Sequence, residues 1–191
     1  MNTPEVDRLV QLGRGNDPKR IVAIAERFGL HLADDEEIAA ARAIAAALIS
    51  ERIASIETFI AMQRLTRSSV FVIKDGGAVT GMLGLFMLRP AGLRALEQGV
   101  FDAVNPDWDA VAREGEEVAA GYGWGFAATT EAGGRAAVKT SVALQRELFC
   151  GVPAFTRTAT PTTRSSDEPR SRKFNAARDS PKWYLEPYQP H

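Results

Sequence analysis

The stretch Gly121–Phe149, GYGWGFAATTEAGGRAAVKTSVALQRELF, decides how the chain is read. It opens as an apolar run of glycines and aromatics, halts at Thr129-Thr130, and makes a Glu-Ala-Gly-Gly-Arg turn before continuing at helical spacing. The spacing predicts a strand over about Val118–Ala128 and a helix from Gly133 or Gly134 through about Phe149. A strand that feeds a glycine turn into a helix points backbone N–H groups outward at the positive end of the helix dipole. That is a generic anion site, and it suits a pyrophosphate. Two readings of Gly133-Gly134 follow. In one, the pair only makes the turn, and Glu131 caps or complements the helix start. In the other, the absence of a Cβ lets a phosphate reach the backbone, and Arg135 adds a charge-assisted contact. Neither the P-loop ending in Gly-Lys-Ser/Thr nor a GxGxxG followed by an acid about 20 residues on is present.

On the N-terminal side the period changes at Ser68. SSVFVIKDGGAVTGMLGLFML reads as a strand, a tight Asp75-Gly76-Gly77 turn and a second strand, an antiparallel hairpin. Pro90 opens a short helix that Gly99 closes, and a polar loop, FDAVNPDWDAVAREGEE, leads to the third strand. Before the hairpin the chain is helical. In NDPKRIVAIAERFG, Asn16 or Asp17 can cap, Pro18 suits the first turn, and Ile21, Ile24, Ala25 and Phe28 share a face up to Gly29. In ADDEEIAAARAIAAALISERIASIETFIAMQRL, Asp34 or Asp35 can cap. Ile38, Ala41, Ala45, Leu48, Ile49, Ile53, Ile56 and Ile60 mark one side, with a break near Ser50 or Ser55. This Ala-rich face reads as core, with a docking face for a partner as the alternative.

Beyond Phe149, VPAFTRTATP reads as a fourth strand stopped by Pro161, and KWYLEPY as a last short strand. Between them, Arg157 to Lys182 carries seven basic residues against three acidic, a net of about +4. Apart from Phe174, a core candidate, this stretch lacks interleaved aromatics until Trp183-Tyr184, so a solvated loop is expected rather than a nucleic-acid patch. The element order predicts an α/β (α+β) fold with a mixed, mostly antiparallel central sheet flanked by helices. A helical N-terminal region, residues 1–66, is expected to pack on the same domain as a core at 67–191.

Composition narrows the chemistry. The 191 residues are 45% hydrophobic with a net charge of −1, enough for a sizeable core and without a field suited to nucleic acid or anionic membrane. No basic, then apolar leader opens the chain, and no run of about 18 apolar residues occurs. A cytoplasmic protein without membrane contact is expected. One cysteine, Cys150, excludes an internal disulfide; it reads as a small buried residue. With only His31 and His191 beside it, no usual zinc spacing can be assembled, and no metal is expected. A nucleophile paired with histidine would have to rest on His31, which the sequence places in a helix-connecting segment.

Tyr122, Trp124 and Phe126 alternate along the third strand and should share one face, as core or as a wall for an acyl acceptor. Trp108, in the acidic loop, reads as a loop residue or a lid.

The order of helices, hairpin, helix, strand, turn-helix and further strands resembles the GNAT superfamily of N-acetyltransferases, over about Ser69 to Tyr188. The family's phosphate loop, Gln/Arg-x-x-Gly-x-Gly/Ala, aligns with Glu131-Ala132-Gly133-Gly134-Arg135-Ala136, so that Gly134 and Ala136 take its small positions. The resemblance implies acetyl-CoA (or CoA) as cosubstrate, its pyrophosphate on Glu131, Ala132, Gly133, Gly134, Arg135 and Ala136, and its acyl arm along Phe126, Ala127 and Ala128. It implies transfer of an acetyl group to a small-molecule or peptide amine, and leaves a homodimer open. Glu131 stands where the family has Gln or Arg. The family's later Tyr, which protonates the departing thiolate, has no counterpart in PTTRSSDEPRSRKFNAARD, where only Lys173-Phe174 is similar to its following turn. No Glu lies within Val118–Ala128 to act as base, so no catalytic residue is assigned, and a base would work through water. The alternative is a catalytically silent GNAT-like module for CoA or protein binding.

Overall fold

Capping and turn chemistry set the element boundaries in the computed structural model, which describes residues 15–49, 53–156 and 183–185. The basic stretch from 157 to 182, with Lys173-Phe174, lies outside the described residues. Asp17 caps helix α1 (Pro18–Glu26) by accepting from the Arg20 N–H. After β1 (Leu30–Leu32), Asp34 and Glu37 form a reciprocal capping box that starts α2 (Asp35–Leu48). Ser55 caps α3 (Ile56–Thr66). The hairpin β2 (Val70–Asp75) and β3 (Ala78–Leu88) turns on Gly76 and Gly77, both at positive φ, as a two-residue connection between twisted strands requires. Then come α4 (Pro90–Glu97), a 3-10 turn (Trp108–Ala110), β4 (Ala120–Ala128), α5 (Glu131–Glu147), β5 (Ala154–Thr156) and β6 (Trp183–Leu185).

The strands form one sheet in the order β1-β2-β3-β4-β5-β6. The first three ladders are antiparallel, and β4–β5 and β5–β6 are parallel, with α5 as the crossover between β4 and β5. This is the expected α+β architecture with a mixed, mostly antiparallel sheet. Helices α1 and α5 bury Ile21, Ile24, Ala137 and Leu144 against Phe71, Leu83, Leu85 and Met87 on one face. On the other, α2 and α3 bury Ile38, Ala41, Ala45 and Phe59 against Val70, Val72 and Met82. A third cluster, Met62, Phe86, Leu88, Leu96, Val111 and Tyr122, lies at the end where the 101–117 loop enters β4.

Four expectations change. The Ala-rich stripe does not run through as one face. Leu48, the last residue of α2, is 51% exposed, and beyond the break before Ser55 the helical phase is reset, so Ile56 and Ile60 are half-buried while Phe59 and Met62 take the core positions. His31 belongs to an edge strand rather than a connector, because three residues are too few to show a period in sequence. Cys150 is exposed: it sits on the outside of the turn after α5, while Phe149 and Val152 on either side point inward. Tyr122, Trp124 and Phe126 do not share a face. In the β3–β4 register Gly84 meets Gly125 and Leu85 meets Gly123, so Trp124 is the extra residue of a β-bulge. The bulge shifts the alternation by one. Tyr122 and Trp124 pack with Phe86, and Phe126 packs on the α1–α5 side.

Candidate functional site

Strand β4 and helix α5 meet at Thr129-Thr130, and the helix begins two residues earlier than its glycines suggest. Thr130 is the N-cap: its Oγ1 accepts from the Gly133 N–H at 3.1 Å and its carbonyl from the Gly134 N–H at 3.0 Å. Gly133 and Gly134 are therefore the third and fourth residues of a regular first turn, both without positive φ. Glu131, the first, complements the dipole. A cap satisfies only part of a helix end, and the first two amides, those of Glu131 and Ala132, have no intrahelical acceptor.

The two glycines differ in what a side chain would meet. A Cβ on Gly133 would lie 3.1 Å from the Ala128 Cβ and 3.2 Å from the Thr130 Oγ1, so this glycine lets α5 close onto the end of β4. A Cβ on Gly134 would meet nothing within 4 Å. Gly134→Ala should therefore stabilise the protein, by about 0.5–1 kcal/mol, through helix propensity and a stiffer unfolded chain. Gly133→Ala gains the same propensity but must displace Ala128 or the cap, and should be neutral or destabilising. Paired urea titrations check this; equal shifts in both variants would defeat the distinction.

Gly134 opens into a shallow cleft of about 690 Å³ lined by Ala128, Thr129, Thr130, Glu131, Gly134, Arg135, Val138 and Lys139. A second cleft, of about 370 Å³, lies on the α1 side of the same helix and is lined by Arg27, Phe28, Ala132, Arg135, Ala136 and Lys139. Of the predicted residues, Ala128, Glu131, Gly134 and Arg135 share the first cleft, and Ala132, Arg135 and Ala136 the second. Gly133 is buried in packing. Phe126 lies over Gly123 in the α1–α5 core, and Ala127 is buried opposite Met82 on the other face.

Charge is distributed unevenly around these clefts. Arg135 pairs with Glu131 one turn back, so the arginine that was expected on a phosphate is held by a carboxylate of its own helix. Arg27 makes a two-pronged contact with Glu147, at 2.7 and 2.9 Å. Those hydrogen bonds hold the Glu147 carboxyl below its ordinary range and raise the Arg27 guanidinium. Lys139 borders both clefts and has no ion-pair partner among the described residues.

The strand end supplies backbone rather than side chains. Strand β4 carries no carboxylate. Thr129 N–H donates to Thr80 O on β3, so the alternation of an antiparallel ladder turns the Phe126 and Ala128 amides toward the β5 side. The described pairing with β5 covers Gly121 to Gly123. Trp124 is core rather than acceptor wall. It stacks on Phe59 at 3.9 Å and Phe86 at 4.4 Å between ring centroids, and its Nε1 donates to Ala103 O at 2.8 Å. Trp108 sits in the 3-10 turn, partly exposed. Among the described residues no cluster of three His, Cys, Asp or Glu is placed to hold a metal ion, and no helix is long and apolar enough to cross a membrane.

Sequence reasoning missed Thr130, Val138, Lys139, Arg27 and Phe28. The hydroxyl three residues before Gly133, and Lys139 one turn beyond Arg135, carried a legible signal. Arg27 and Phe28, more than a hundred positions away, carried none. Compared with known proteins, the chain matches no family model, no curated protein and no solved structure.

Proposed function

We propose that the chain is an acyl-CoA-dependent N-acyltransferase that takes acetyl-CoA at the β4–α5 junction and transfers its acetyl group to an amine. Gly134 carries this reading. Neither its φ nor its surroundings require a glycine, yet the missing side chain opens the first turn of α5 to a cleft. A pyrophosphate there would meet the Glu131 and Ala132 amides and the positive end of the dipole. An amide on the β5 side of β4, from Phe126 or Ala128, would hydrogen-bond the thioester carbonyl and stabilise the oxyanion formed on attack. The amine nitrogen bonds to the carbonyl carbon and gives its proton to water. The C–S bond then breaks, and the thiolate takes a proton from solvent, since no side chain is assigned to either transfer.

A second reading, binding without turnover, is favoured by the Glu131–Arg135 pair and the absence of a carboxylate from β4. Titration with acetyl-CoA and CoA, by calorimetry, tests the shared premise. Saturable binding is expected, weakened at least about tenfold in Gly134→Glu, which adds a carboxylate at a position where a Cβ meets nothing within 4 Å. Absence of binding at millimolar ligand would remove both readings. If CoA binds, thiol release across a panel of amines separates enzyme from silent module.

A further inference from the structure

The cleft on the α1 side of α5 is built differently from the one at Gly134. It is bordered by three cations, Arg27, Arg135 and Lys139, and by the half-buried ring of Phe28. Two of the cations have carboxylate partners, Glu147 and Glu131, and Lys139 has none among the described residues. The Arg27 guanidinium lies 5.5 Å from the centre of the Phe28 ring, so charge and an aromatic surface adjoin. Cations beside an aromatic face suit a phosphorylated nucleoside, whose base stacks while its phosphate takes charge-assisted hydrogen bonds. These are side-chain features, so they hold whatever the helix dipole contributes.

Resting on the acyl-CoA reading above, we infer that this cleft, through Lys139, holds the 3′-phosphorylated adenosine end of the ligand. The protein therefore discriminates CoA from its dephospho form. Arg135 and Lys139 border both clefts, so a ligand crossing the flank of α5 would keep its pyrophosphate on one side and its 3′-phosphate on the other. The Lys139–phosphate contact replaces water on an ammonium that has no ion-pair partner among the described residues, which makes Lys139 the residue on which discrimination depends.

The test compares acetyl-CoA, dephospho-acetyl-CoA and adenosine 3′,5′-bisphosphate by calorimetry on the wild type, Lys139→Met and Lys19→Met. Lys139 is exposed and methionine is a good helix former, so the first variant should fold. Lys19, at the opposite end of α1 from Arg27, controls for net charge. The wild type should prefer acetyl-CoA over its dephospho form by about tenfold, a preference lost in Lys139→Met and kept in Lys19→Met. The bisphosphate should bind the wild type and lose affinity in Lys139→Met. Equal affinity for the two CoA forms in the wild type, or a preference indifferent to Lys139, overturns the inference and leaves the acyltransferase reading standing. Lys139-dependent binding of the bisphosphate without any binding of acetyl-CoA supports the cleft and removes the acyltransferase. Binding of none of the three overturns both.

Discussion

Phe86→Ala should lower the unfolding free energy by about 3–5 kcal/mol, the range for deleting a fully buried aromatic side chain. Phe86 has no exposed surface, and its ring joins three others: stacked on Trp124 at 4.4 Å and Tyr122 at 6.0 Å, and edge-on to Phe101 at 5.8 Å. Removing it takes away the transfer free energy of the ring and leaves a cavity that the neighbouring sheet cannot collapse into. It also removes one of the two rings that hold Trp124 in its bulge. Phe86→Leu, which keeps much of the volume, should cost less than half as much, and the difference measures what stacking and shape add. Urea unfolding with fluorescence detection reads both. A loss under about 1.5 kcal/mol for the alanine variant would mean that the aromatic cluster is loosely packed. The cluster lies on the sheet face opposite Phe126 and α5, so under the acyl-CoA reading proposed above, the affinity of the folded variant for acetyl-CoA should stay within about threefold of wild type.

What was legible in the sequence follows from what is local. Asp75-Gly76-Gly77 between two β-rich runs is sufficient for the hairpin, because the backbone of such a turn admits few other residues. Pro18, Pro90, Asp34 and Ser55 mark helix starts by chemistry that acts within four residues. The junction between strand and helix was equally visible, but it falls at Thr129-Thr130, and the roles of the two helical glycines were not separable, since the distinction depends on Ala128 and Thr130 standing close to Gly133 and on nothing standing near Gly134. The bulge at Trp124 was invisible for a related reason. It is a mismatch of register between β3 and β4, and the alternation in GYGWGF looks regular on one strand alone. The second cleft depends on α1 lying against α5, a pairing no local pattern encodes. Of the predicted site residues, Phe126, Ala127 and Gly133 therefore serve packing at the β4–α5 junction, while Ala128, Glu131, Gly134 and Arg135 line the open cleft.

Gln63→Met should be almost as costly as the loss of Phe86, about 3–4 kcal/mol, although it removes only polar atoms. Gln63 is buried in α3, and all of its side-chain hydrogen bonds go to backbone. Its Nε2 donates to Ala33 O at 3.1 Å and Val70 O at 3.3 Å, and its Oε1 accepts from the Ser69 and Val70 amides at 3.1 and 2.9 Å. The amide thus ties the exit of β1 to the entry of β2, at the point where the chain leaves α3 through Arg67 in the left-handed region. Methionine has nearly the same shape, so the cavity term is small and the measured loss is that of backbone groups stripped of partners away from water. Ala33 N–H still donates to Val70 O, so Val70 O keeps a donor. The Ala33 carbonyl and the Ser69 and Val70 amides are the groups left without Gln63, at roughly 1–3 kcal/mol for each that finds no water. A melting temperature lowered by roughly 10 °C is the corresponding readout for a domain of this size. Hydrogen exchange separates the explanations. The Ser69 and Val70 amides should exchange fastest relative to wild type, while the Leu85 amide, which donates to Ser69 O, should be affected less. Wild-type stability in Gln63→Met would show that water replaces the glutamine at no cost, and that the junction before β2 is held by the sheet alone.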